Sequence, residues 1–121
     1  MRAIATAANE IPLASGAEDA AALKKLARRA GDAAQLLKML ANEKRLLILC
    51  FLALRGEMTV GELAGVVKLS QSALSQHLAK LRADGLVEFR RASQTLHYRV
   101  ADRRALCLLQ VLKEIYCADL K

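Results

Sequence analysis

"LSQSALSQHLAKLRADGLVEFRRASQTLHYRV", residues 69–100, decides the fold, because its hydrophobic period changes halfway along. In the first half Leu74, Leu78 and Leu81 recur at i, i+4 and i+7, the inward stripe of a helix. Ser70 stands in N-cap position before it and Gly85 just beyond its last turn. In the second half Val87 and Phe89 alternate with Glu88 and Arg90. Leu96, Tyr98 and Val100 then alternate with Thr95, His97 and Arg99. That is the period of two strands joined by a polar tip, a β-hairpin.

The helix face opposite the leucines carries Gln71, Ser72, Ser75, Gln76 and His77. An ordinary solvated face would carry Glu and Lys. Short hydroxyl and amide side chains that both donate and accept are the inventory needed to read base edges in a major groove, where Gln pairs with adenine. The positive helix N-terminus behind Ser70 favours a backbone phosphate. Arg90 and Arg91 are expected at the hairpin tip, with Ser93, Gln94 and Thr95 beside them, placed to touch phosphates or a narrow minor groove. Residues 70–100 hold five Lys/Arg against two Asp/Glu, a net +3 out of +7 for the chain.

Working outward, Thr59 caps a short helix, "TVGELAGVV", with Glu62 in capping-box position. Asn42 caps the helix before it, which runs to about Leu54 and stops at Gly56. That helix contains "RLLILCFLAL", residues 45–54, and its apolar residues on nearly every side demand burial on several sides. Earlier still, Glu18 to Ala41 reads as one helix, with Leu23, Leu26, Ala30, Ala33, Leu37 and Leu40 on one stripe. Gly31 weakens it by about 1 kcal/mol relative to Ala. The stripe alone leaves open whether it faces the chain's own core or a second copy. A last helix, "DRRALCLLQVLKEIYC", runs from Asp102 to Cys117. Residues 1–17 read as a flexible tail and 18–121 as one domain, with a helix-turn-helix over about 59–84 and a wing over about 86–100. The order is helix, helix, short helix, helix, strand, strand, helix: mainly α with a β-hairpin wing, a winged helix-turn-helix.

The bulk numbers agree with this reading. The 121 residues carry a net charge of +7, are 55% hydrophobic and include only two Tyr, two Phe and no Trp. Leu, Ala and Val in that proportion suit helix on helix, and so apolar a small domain often covers part of its surface by oligomerising. The basic balance points to nucleic acid. No stretch approaches the roughly 18 apolar residues of a membrane span, so no membrane partner is expected. Three cysteines without a secretion signal argue for a reducing, cytoplasmic setting. An enzyme finds no support: there is no phosphate loop or paired carboxylate set, and Ser75 and His77, two apart on a helix, point in different directions.

"LLKMLANEKRLLIL", "LSQSALSQHLAKLRADGLVEFRR" and "QTLHYRV" resemble the ArsR/SmtB family of bacterial winged-helix repressors over about residues 30–117. The resemblance implies a homodimer through the first and last helices, and release from double-stranded operator DNA under control of a ligand. It places Ser70, Gln71, Ser72, Ser75, Gln76 and His77 in the base-reading and phosphate-contacting group, and Arg90, Arg91, Gln94 and Thr95 on the wing. Metal-sensing members carry a Cys-x-Cys pair on the short third helix, where this chain has "GELAGVV". Others open the last helix with Asp-x-His, where this chain has "ADRRALC". No metal or other cofactor is therefore expected. A sulfide- and redox-responsive subgroup, the BigR, SqrR and HlyU type, carries one cysteine in an "ILC" and a second in a "YC" closing the last helix. The chain has "ILC" at 48–50 and "IYC" at 115–117, so the resemblance implies a Cys50–Cys117 dithiol switch answering a persulfide, other reactive sulfur or an oxidant. Cys107 has no counterpart and reads as a small core hydrophobe. Three rivals stay open: a regulator that binds DNA without a ligand, as nodulation-type repressors with a similar string do; a metal sensor; and a winged helix used only for protein contacts.

Overall fold

The computed structural model describes residues 16–117. Its elements are α1 (Ala17–Arg28), α2 (Ala30–Leu40), α3 (Glu43–Arg55), β1 (Met58–Thr59), α4 (Val60–Val67), α5 (Gln71–Ala83), β2 (Val87–Ala92), β3 (Thr95–Val100) and α6 (Arg103–Tyr116). The chain divides into two compact units. One comprises α1, α2 as far as Met39 and the part of α6 from Val111 on; the other is Leu40–Gln110. Residues 1–15 of the expected tail lie outside the described residues, and Gly16 already caps α1.

The expected single helix over 18–41 is two helices, broken at Arg29, whose φ is −111°. The N–H of Arg29 still reaches the Lys25 and Leu26 carbonyls, at 3.2 and 3.0 Å. The interruption is therefore one residue long, and Gly31 lies beyond it inside α2. The stripe on α1 turns out not to be a core face: Leu23 and Leu26 are exposed, and α1 has no buried residue.

In the Leu40–Gln110 unit each start signal closes as chemistry demands. Asn42 accepts from the Arg45 N–H at 3.0 Å and Ser70 from the Ala73 N–H at 3.1 Å. Thr59 and Glu62 form both arms of a capping box, at 2.9 and 3.2 Å. Gly56 and Gly85 take φ of +88° and +79°, the conformation that ends α3 and turns the chain after α5 into the wing. Lys68 closes α4 in the same left-handed region, φ +60°, although it has a side chain.

The sheet has three strands in the order β1-β3-β2, all antiparallel. Strand β1 was not expected, because its two residues pair with Tyr98 and His97 nearly forty positions away and leave no local pattern. The register places Met58, Tyr98 and Phe89 in one row on the inner face, and Thr59, His97 and Arg90 in one row on the outer face. Beneath the inner face sits the core: Ile48, Leu49, Leu52, Leu63, Leu74, Leu78, Leu81 and Leu86 are wholly buried. Each such side chain contributes about 2 kcal/mol of apolar burial. On α3 only one side takes part. Leu47 and Leu54, seven apart on the other side, are exposed, so within the chain this helix is not buried all round.

Candidate nucleic-acid interface and thiol residues

Helix α5 holds its polar face open because its leucines hold the other face down. Gln71, Ser72, Ser75 and Gln76 are exposed, while Leu74, Leu78 and Leu81 are fully buried. His77, a further 100° or so round the helix from Gln76, turns back towards the leucine stripe and is half-buried. Ser70 is exposed, but its hydroxyl oxygen is taken up by the cap on the Ala73 N–H. The uncharged donor-acceptor surface is therefore the four residues Gln71, Ser72, Ser75 and Gln76.

The hairpin turn is Ser93–Gln94, with Ser93 at φ +57° between the paired residues Ala92 and Thr95. Arg90 and Arg91, expected at the tip, sit lower on β2, and as consecutive strand residues they point to opposite faces of the sheet. Arg90 is on the outer face. Its Nε donates to both Glu57 carboxylate oxygens, at 3.1 and 3.0 Å, and its Nη2 to Oε1 at 3.0 Å. This fork holds the Glu57 carboxyl below its ordinary range, with smaller help from His97 and Arg99. On the same face Arg99 pairs with Glu88 at 2.6 Å. Arg91 is on the inner face opposite Leu96, is exposed, and its guanidinium has no partner among the described residues. Gln94 and Thr95 are exposed at the turn. With Thr59, Val60, Gly61 and Leu96 they line a shallow open cleft beside the start of α4.

Two residues that pattern reading passed over shape this surface. Glu57 neutralises Arg90 across thirty-three positions, and no local signal announces such a pair. Arg82, the penultimate residue of α5, lies with its guanidinium carbon 4.4 Å from the centre of the Phe89 ring.

All three cysteines are thiols. Cys50 is half-buried on α3, on the side of Leu47 and Leu54 rather than of Ile48 and Leu52. Cys117 is half-buried one residue past α6, its N–H bonded to the Lys113 carbonyl at 2.8 Å. Cys107 is exposed, which corrects its reading as a core hydrophobe: at its position the inward side of α6 is taken by Ala105 and Leu109. Among the described residues no group of three His, Cys, Asp or Glu is placed to hold a metal ion. Asp102, where a metal-sensing pattern would begin, caps α6 and is bound by Arg104, Nη2 to Oδ2 at 2.7 Å.

A buried-leucine helix with an uncharged open face, preceded by a short capped helix and followed by an antiparallel hairpin, defines a winged helix-turn-helix regulator. Residues 42–88 match the family model described as bacterial regulatory protein, arsR family. The transcriptional activator HlyU of Vibrio cholerae is 46% identical over 95 residues, spanning 78% of this chain and 87% of that one. A solved structure of it in reduced form superposes with a TM-score of 0.71 over 78% of this chain and 98% of its own. The nodulation protein NolR of Rhizobium meliloti is 53% identical over 87 residues, 72% of this chain and 70% of that one. The transcriptional repressor BigR of Xylella fastidiosa, a solved structure, is 38% identical with a TM-score of 0.72, over 78% of this chain and 95% of its own. The chain belongs to the arsR family of bacterial regulatory proteins. It is a transcriptional regulator and not an enzyme.

Proposed function

We propose that the protein is a sequence-specific repressor that binds double-stranded operator DNA as a homodimer in the bacterial cytoplasm, and that Cys50 and Cys117 form the dithiol switch controlling release. The observation that carries the DNA reading is the open surface of Gln71, Ser72, Ser75 and Gln76 on a helix whose other side is wholly buried. Arg91, Gln94 and Thr95 add backbone contacts from the wing, while Ser70 and His77 contribute at the edges of the surface. The homodimer is supported by the exposed apolar residues Leu23, Leu26 and Leu37 of the first two helices and Val111, Ile115 and Tyr116 of the last. Two reading helices on such a dimer would address half-sites about 34 Å apart.

The switch reading rests on the "ILC" and "IYC" strings, on both thiols being only half-buried, and on likeness to a HlyU that has been solved in reduced form. In a plain disulfide the two thiols give up two protons and two electrons to the oxidant, a peroxide being reduced to water. With a persulfide, a first molecule passes its outer sulfur to one thiol and leaves as a thiol, and a second takes up the two electrons, splitting into thiol and hydrogen sulfide, as the other cysteine closes on the bound sulfur. The rival is a regulator needing no ligand, favoured by the 53% identity to NolR.

Operator fragments titrated with reduced protein, then with protein treated with persulfide or peroxide, test both readings. Gln76→Ala is expected to erase the preference for the operator over unrelated DNA. Treated wild-type protein is expected to lose binding and to gain a Cys50–Cys117 cross-link by mass, which Cys50→Ser and Cys117→Ser abolish. Unchanged binding by fully oxidised protein would leave the ligand-independent regulator standing.

A further inference from the structure

The exposed flank of α5 that begins with Gln71 and Ser75 ends at Arg82, seven residues beyond Ser75 and therefore on the same side of the helix. Its guanidinium lies over the Phe89 ring at 4.4 Å. Phe89 in turn packs on Tyr98, ring centres 5.4 Å apart and tilted by 60°. Tyr98 is buried and stands in register with Met58, which is 2% exposed. A continuous chain of contacts thus runs from the reading helix through the inner face of the wing into the core. Neighbouring charges do not compete for Arg82: Asp84 is engaged by Lys80, at 3.7 Å.

The two faces of β2 differ in what they offer to a phosphate. On the outer face Arg90 and Arg99 are neutralised by Glu57 and Glu88. On the inner face, two residues beyond Phe89, Arg91 keeps its charge. An exposed guanidinium on a projecting hairpin is useful only if the hairpin is held at a fixed angle to the helix in the groove. We infer that Arg82 is the positioning residue that holds the wing on the recognition helix, so that Arg91 meets the backbone phosphate beside the bases faced by Gln71 and Ser75. Arg82 acts through Phe89 and does not itself neutralise phosphate. This inference rests on the proposed DNA reading, and the two can fail separately.

The test is a titration of duplex DNA about 30 base pairs long, enough for two half-sites one helical turn apart, selected from a randomised pool on the wild-type protein. Affinity is measured across a salt series for the wild type, Arg82→Gln, Arg82→Lys, Phe89→Leu, the Arg82→Gln/Phe89→Leu double variant, and Arg91→Gln with and without Arg82→Gln. A cation over an exposed ring accounts for a roughly two- to fivefold effect. Arg82→Gln and Phe89→Leu are each expected to weaken binding by that factor with the same partial fall in salt slope, as the Arg91 contact loosens, the double variant being no worse than either, and Arg82→Lys recovering part of the loss. Arg91→Gln is expected to lower the salt slope by about one, and to matter less once Arg82 is gone. Faster amide exchange in β2 and β3 of Phe89→Leu is the accompanying structural sign, and that variant keeps every charge should Arg82→Gln fail to fold. Loss of one unit of slope in Arg82→Gln with Phe89→Leu silent would make Arg82 a phosphate ligand and overturn the inference, as would binding indifferent to both. A wild-type protein that selects no sequence from the pool would instead sink the DNA reading itself.

Discussion

The Leu40–Gln110 unit and the unit of the first two helices use the same residue types to opposite ends. In the first, Leu49, Leu52, Leu63, Leu74, Leu78 and Leu81 are fully buried around the inner face of the sheet, and of the α3 leucines Leu47 and Leu54 stay exposed. In the second, α1 buries nothing, Leu23 is 46% and Leu26 57% exposed, and Ile115 and Tyr116 at the end of α6 are 47% and 77% exposed. Leucine periodicity therefore says that a helix has an apolar face, and says nothing about whose core that face will enter. The Leu40–Gln110 unit builds a core of its own. The flanking helices present theirs for covering, which is why the proposed homodimer belongs to them.

The sharpest way to break that contrast is to truncate one leucine in each region. Leu78→Ala empties a fully buried site on α5 and is expected to cost about 2–5 kcal/mol in urea or thermal unfolding. Leu26→Ala, measured at a concentration where the protein is monomeric, is expected to cost only a few tenths, as for an ordinary surface position. Leu26→Glu should leave the fold intact and abolish association in light scattering, because it places a charge in the seam. Equal losses for the two alanine variants would mean that α1 is packed within the chain after all.

The same contrast explains what the sequence disclosed. The caps at Asn42, Thr59 and Ser70, the stops at Gly56 and Gly85, and the switch of period between Leu81 and Val87 are local events, each decided within three or four residues. They were legible, and so was the polar face of α5. What pattern reading missed depends on residues far apart in the chain: β1 exists only because β3 lies beside it, and Arg90 is paired with Glu57 thirty-three positions away. Arg90 and Arg91 read as one pair because adjacency in sequence hides the alternation of a strand, and only the register divides them. The break at Arg29 was not legible: Gly31 marked only a weaker propensity, and it lies within α2.

A smaller effect sharpens the contrast at the point where the wing hands over to α6. The Asp102 carboxylate caps α6 through the Arg104 and Ala105 N–H groups, at 2.8 and 3.3 Å, and is gripped by the Arg104 side chain. That side-chain bond first, and the backbone bonds after it, hold the Asp102 carboxyl below its ordinary range against the opposing effect of burial. A carboxyl with a lower pKa folded than unfolded adds stability above the unfolded value of about 3.9, and loses it as pH falls through the folded value. Asp102→Ala is thus expected to cost about 1 kcal/mol at pH 7, as removal of an N-cap does. The gap between wild type and variant should close on titration to pH well below 4. A gap that persists in acid would locate the effect in packing rather than in the charged cap.

The smallest expected effect concerns the turn between α4 and α5. Lys68 holds φ +60° and ψ +47° there, a conformation that a side chain disfavours and glycine adopts freely, and it is exposed. Lys68→Gly relieves that strain but also frees the unfolded chain, so the net gain is about 0.5 kcal/mol or less. Lys68→Ala keeps the side-chain clash while removing the charge, and is expected to leave stability unchanged. A denaturant midpoint that rises for glycine and not for alanine assigns the effect to backbone strain. If both variants are shifted equally, the charge of Lys68 and not its conformation decides the stability of the turn that sets α5 on its core.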